Sequence, residues 1–240
     1  MTTEEFSTEF DVQVSAYYPN GILFDEYEKS VYLTHAQEMM VLQLYTDFEK
    51  KEVVREALAP LVKTFVTSEE YIGNDETGCE ETELYPISDM SYFYKLPDNL
   101  WLILYEEVSL SSKNKCLNGK RIPITPTTHD KVTKILGNPF KRPSENRALR
   151  INISENVVEI ISEYGIEKYY VRYLHKLKPI ILTKLTDSVS INGVVDRTEC
   201  ELPDTIHKDI LNMAVQMALQ SRVRFDTSQQ SQQPQQQNEE

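Results

Sequence analysis

The stretch Ala148-Leu-Arg-Ile-Asn-Ile-Ser-Glu-Asn-Val-Val-Glu-Ile-Ile-Ser162 decides the fold class. From Ala148 to Ser154 apolar and polar residues alternate, which is the period of a half-buried strand. Val157 to Ser162 is again branched and apolar, and Glu155-Asn156 supplies a short turn between the two runs. The reading is a β-hairpin. Downstream, Lys168-Tyr-Tyr-Val-Arg-Tyr-Leu174 reads as a further strand, and Lys178-Pro-Ile-Ile-Leu182 closes the β region. Upstream, Tyr92 to Leu110 is aromatic and branched and reads as strand after Pro97. Lys120-Arg-Ile-Pro-Ile-Thr-Pro126 reads as a strand that Pro123 confines to a sheet edge. Thr128 to Gly137 is a short helix stopped by its glycine, and Asn138-Pro-Phe-Lys-Arg-Pro143 is a rigid turn.

On either side of this region the period becomes helical. Thr34 with Gln37 three residues on has the form of a capping box, and Val41, Leu44, Tyr45 and Phe48 follow at helical spacing. Val53, Val54, Ala57, Leu58, Leu61, Val62 and Phe65 extend the pattern, with Pro60 dividing or kinking it. Pro203 opens a last helix, with Ile206, Ile210, Met213, Ala214 and Met217 as one stripe to about residue 221. The expected class is α+β: a helical bundle of N-terminal helices (34–65) and a C-terminal helix (203–221), with a central β-rich insertion (92–182). Residues 1–27 read as an extended acidic arm, 28–225 as a single domain and 226–240 as a disordered Gln-rich tail.

The net charge of −13 is unevenly spread. Residues 1–110 carry a balance of −17, residues 111–184 of +9 and residues 185–240 of −5. An acidic face meeting the basic face of a neighbouring copy fits this pattern, and such patterning orients partners. Residues 66–91 hold eight acids and no Lys or Arg, and read as an acidic loop. No apolar run approaches the roughly 18 residues of a membrane span. Cys79, Cys116 and Cys200 are odd in number and widely spaced, so neither a disulfide framework nor a zinc site is expected.

Chemistry is sparse. Glu106-Glu107 lie in a strand, where neighbours point to opposite faces, so they cannot share a substrate. His35, His129, His175 and His207 are scattered, and His207 with Asp204 reads as a cap or interface pair. Cys116 has basic neighbours but no placed His partner. No phosphate loop, nucleophile elbow or dinucleotide fingerprint is present. No catalytic, cofactor-binding or metal-binding residue is assigned, and no cofactor is expected. Phe140, Lys141, Arg142, Arg147 and Arg150 read as a subunit contact. The rival readings are a DNA-binding or regulatory module over 113–150, and a hydrolase using the acidic loop.

Four phrases carry a resemblance: Tyr27 to Glu38, Asn138 to Pro143 leading into Ala148-Leu-Arg-Ile151, Tyr169 to Leu182, and Glu201 to Leu219. In this order they are similar to structural proteins of crAss-like bacteriophages, the ring or adaptor proteins of the short tail. The chain departs from the pattern at Leu177, where such proteins often carry Pro. The resemblance implies a virion component, not an enzyme, forming a homo-oligomeric ring of twelve copies. It implies the phage portal or other tail rings as partners, with DNA passing through the lumen without specific binding, and no membrane. Synthesis would take place in the host cytoplasm. The acidic loop and the Gln-rich tail lie outside the resemblance.

Overall fold

The computed structural model describes residues 1–17, 23–71, 85–186 and 189–230, with side chains described through Arg222. It divides into two compact units: Met1–Leu61 with Leu177–Glu240, and Val62–Lys176. The class is α+β, with five α-helices and a seven-stranded sheet among the described residues.

The first unit begins with a helix where an extended arm was expected. Helix α1 spans Thr3–Tyr17 and buries Phe6, Phe10 and Val14. These residues recur every fourth position, so the helical stripe was present beneath the acidic composition. Phe10 meets Phe24 edge-on at 5.7 Å, and Phe6 tilts against His207 at 5.3 Å. Helix α2 spans Glu26–Thr46 and starts earlier than expected. Its N-cap is Asp25, whose side chain accepts from Glu28 N–H at 2.7 Å, while Glu28 Oε2 accepts from Asp25 N–H at 3.2 Å. This is the capping box; Thr34 and Gln37, read as one, lie mid-helix. The buried stripe is Leu33, Ala36, Met40 and Val41, while Leu44, Tyr45 and Phe48 are half-buried. Lys29 is 3% exposed and joins α1 to α2 through Asp11 at 2.7 Å and Glu26 at 3.0 Å. Burial disfavours its charge, but those two carboxylates outweigh burial and raise its pKa.

Helix α3, Glu52–Leu58, is followed by a 3-10 turn at Ala59–Leu61 and then strand β1 at Val62–Thr67. The helical pattern therefore stops at Pro60 instead of running to Phe65. Pairing of β1 along β7 overrides the local period. The last helix, α5, spans Asp204–Gln230 and packs on α2 and α1. Tyr32 Oη and Ser221 Oγ are 2.7 Å apart across the α2–α5 contact. The helix continues past Asp226, where disorder was expected, because propagation adds one hydrogen bond per residue once a helix is anchored. The rest of the Gln-rich tail, 231–240, lies outside the described residues, as does the centre of the acidic loop, 72–84.

The second unit holds the sheet, in the order β1-β7-β3-β4-β5-β6-β2. The remaining strands are β2 Ser91–Lys95, β3 Leu100–Ser111, β4 Arg121–Pro126, β5 Ala148–Asn152, β6 Val157–Ile161 and β7 Gly165–His175. The β5–β6 hairpin is present in antiparallel register, Leu149 opposite Ile161. Strand β4 is internal in the order, not the edge that Pro123 suggested. Its first half, Arg121 to Pro123, pairs with β3, and its second half, Ile124 to Pro126, pairs with β5. Pro123 sits where the strand changes neighbours, so its missing N–H breaks no second ladder.

The sheet curls on itself. Tyr94 of β2 meets Tyr169 of β7 at 5.1 Å, although four strands separate them in the order. Just beyond β1, Tyr71 N–H donates to Phe93 O at 2.8 Å, which draws the two sheet edges together. Val108, Leu110, Ile122, Ile160 and Val171 fill the interior. On the outside, Leu149, Ile151 and Ile161 are covered by Val132, Ile135 and Leu136 of helix α4, His129–Leu136. Lys178–Leu182, read as closing the β region, belongs to the first unit and forms no ladder beyond an isolated Ile181–Thr198 bridge.

Candidate functional site

The polar chemistry of the chain serves its own architecture. Glu106 and Glu107 do point to opposite faces. Glu106 is buried in the curled sheet, where Tyr169 Oη donates to it and Arg150 Nε lies 3.2 Å away. Burial raises the Glu106 pKa, opposed by the Arg150 charge and the Tyr169 hydroxyl. Glu107 lies outside, paired with Arg121 at 2.9 Å, and that guanidinium stacks 4.3 Å over Tyr170. The two carboxylates share no cleft.

The histidines do not converge. His129 Nε2 lies 2.9 Å from Asn152 O, and His207 is 4% exposed with Nε2 2.8 Å from Leu202 O. Asp204 Oδ1 and the Met1 ammonium both reach His207 Nδ1, at 3.0 and 2.8 Å. This is the structural pairing expected for Asp204 and His207. Burial lowers the His207 pKa. Cys116 is exposed in a turn, whereas burial pushes the Cys200 thiol up to about 11. No cluster of three potential metal ligands occurs among the described residues.

A polar seam in the first unit accounts for three buried residues of α2. Ser30, Thr34 and Gln37 lie on one face, one turn apart, and are 0–2% exposed. Leu182 N–H donates to Ser30 Oγ at 3.1 Å, and Ile180 N–H donates to Thr34 Oγ1 at 3.1 Å. Gln37 Nε2 donates to Lys178 O at 2.9 Å. The helix thus takes the place of a neighbouring strand for the segment 178–182. Two of the phrases noted in the sequence, 27–38 and 169–182, meet here. An apolar helix face could not satisfy that buried backbone, which explains the residue types.

The basic segment is divided by the fold. Arg150, read as part of a subunit contact, instead turns inward to Glu106. Arg147 is half-buried and donates through Nη2 to Phe140 O at 2.9 Å and Arg142 O at 3.3 Å. Phe140, Lys141 and Arg142 remain outward, and Phe140 is 91% exposed. The set read as one patch is therefore a braced loop with three exposed residues at its tip. The bracing role of Arg147 was not readable from composition.

The buried charges of Lys29 and Glu106 are thus both paired within the fold. The family model described as "Phage tail ring protein 3/4" matches residues 1–230. Ring protein 3 of Bacteroides phage crAss001 is 37% identical over 236 residues, covering 94% of this chain and 98% of that protein. Ring protein 4/5 of the same phage is 34% identical over 229 residues, covering 91% and 92%. The chain belongs to this family of phage tail ring proteins. Its relatives are structural components of the virion tail and not enzymes. No helix among the described residues is long and apolar enough to cross a membrane.

Proposed function

We propose that the chain is one subunit of a closed ring of about twelve copies in the short tail, joining portal to tail and extending the channel through which DNA passes. The observation that carries this reading is the family match over residues 1–230, together with 37% identity to a ring protein along nearly the whole of both chains. The segregation of charge supports it, since residues 1–110 balance at −17 and residues 111–184 at +9. A ring contact is heterologous: one patch meets a different patch on the next copy. Opposite charge left exposed on the two stretches orients one copy against the next. In this reading the helices of the first unit form the adaptor bundle, residues 28–225 work as one adaptor domain, and the sheet unit is its β insertion. DNA passes the lumen without base-specific contacts. A cryo-EM reconstruction of the intact tail tests the proposal: a closed ring of this chain next to the portal supports it, and density for the chain elsewhere in the virion overturns it.

A further inference from the structure

The second unit carries a knob and a groove at opposite ends of its strands. The knob is the loop 138–143. Its shape is fixed internally: Phe140 N–H donates to Asn138 Oδ1 at 2.9 Å, and Lys141 and Arg142 N–H donate to Asn138 O at 3.0 and 2.9 Å. Arg147 clamps two of its carbonyls from beneath. A loop so braced would be expected to bury its aromatic, yet Phe140 is 91% exposed. Lys141 and Arg142 follow it directly, both exposed, while Glu145 sits apart on the Ser144–Arg147 turn.

The groove lies where β1, β7 and the β2–β3 link converge. Phe65, Leu96 and Tyr173 line an open space of about 590 Å³. Glu69, Glu70 and Asp98 stand on its rim, with Lys95 the one basic lining residue among the described residues. The two features cannot meet within one copy, as the registers show. The knob leads into β5 at Ala148, the end where Leu149 faces Ile161 and Ile161 faces Ser91. The groove follows Lys95, which faces Val157 at the other end of the same three strands. About five residues of strand, on the order of 17 Å, lie between.

We infer that Phe140 of one copy inserts into the Phe65–Leu96–Tyr173 groove of the next, with Lys141 and Arg142 against Glu69, Glu70 and Asp98. The occupant is a second copy of this chain because aromatic anchor and apolar floor, and basic tip and acidic rim, are complementary and lie at opposite ends. That is the arrangement a head-to-tail ring contact requires. The inference rests on the ring reading and names its contact.

The test is mass photometry of the full chain over a dilution series, with the portal protein present if rings need it. F140A is expected to raise the concentration at which rings half-dissociate by about tenfold or more, as loss of a central aromatic anchor does. K141E/R142E and E69K/E70K should each raise it, and the combined four-site variant should restore it toward wild type. All five positions are exposed, and circular dichroism checks that each variant stays folded. Wild-type rings whose midpoint none of these changes moves would overturn the knob-and-groove contact while leaving the ring reading intact. Failure of the four-site variant to recover would also overturn the pairing. A wild-type chain that forms no ring, alone or with the portal, overturns the ring reading and this contact with it.

Discussion

Thr34 and Ile180 lie 146 residues apart in sequence and exchange two hydrogen bonds: Ile180 N–H donates to Thr34 Oγ1 at 3.1 Å, and the Thr34 hydroxyl donates to Ile180 O at 3.4 Å. Both residues are 0–2% exposed. One helical side chain thereby satisfies the backbone of a segment that pairs with no neighbouring strand there. Replacing Thr34 by Val keeps the shape and leaves that backbone unpaired, at a cost of about 1–3 kcal/mol. Urea denaturation should show a lower midpoint with an unchanged slope, and T34S should keep more of the stability than T34V.

The interior pair of the sheet predicts a pH signature. Burial raises the folded-state pKa of Glu106 above its ordinary value. The folded state then binds more protons than the unfolded chain between the two values, so this group's contribution is greatest below the unfolded value. It declines as pH rises through the folded one. R150M removes the nearest positive charge and pushes the folded value higher still. Its destabilisation should reach about 3–5 kcal/mol once Glu106 ionises. It should be smaller at pH 5 than at pH 8, and largely absent when E106Q is also present. Thermal melts of the four chains across that range check this.

Helix α1 is part of the core of the first unit, not an arm. Phe10 is 0% exposed. F10A should cost about 3–5 kcal/mol, the range for an aromatic deleted from a packed interior. An extended arm would tolerate the same change with no measurable loss in a denaturant titration.

The cap of α2 has a separable effect. D25A removes the acceptor for Glu28 N–H and should lower stability by about 1 kcal/mol, with D25S recovering most of it. The change lies on the solvent side, so the urea slope should stay constant while the midpoint falls.

The hairpin at 148–162 was legible because its first strand alternates and its second is a branched apolar run after a short turn, and the strand at 168–174 because it is rich in aromatic and branched residues. The capping-box spacing was legible too, but it recurs along the chain: Thr2 with Glu5 has it at the start of α1, and at α2 both Asp25 with Glu28 and Thr34 with Gln37 fit it. Choosing between them needs the knowledge that Thr34 and Gln37 are committed to residues 178–182, a tertiary fact. Phe65 continued a helical period, and only the β1–β7 register reveals a strand. The inward turn of Arg150 was hidden for the same reason. Alternation placed it opposite Leu149 and Ile151, but the sheet curls and α4 covers the second face, so both faces of β5 are interior. The exposed tip at Phe140 to Arg142 was readable in sequence as basic and aromatic, whereas the groove joins residues from 65 to 173 and had no local signal.

The measurement that tests the central claim most directly is the mass distribution of the purified chain, alone and mixed with the phage portal, followed by electron microscopy of the heaviest species. The account predicts a closed ring of a single defined copy number, on its own or seated on the portal. A chain that stays monomeric with the portal and the neighbouring tail proteins all present would contradict it.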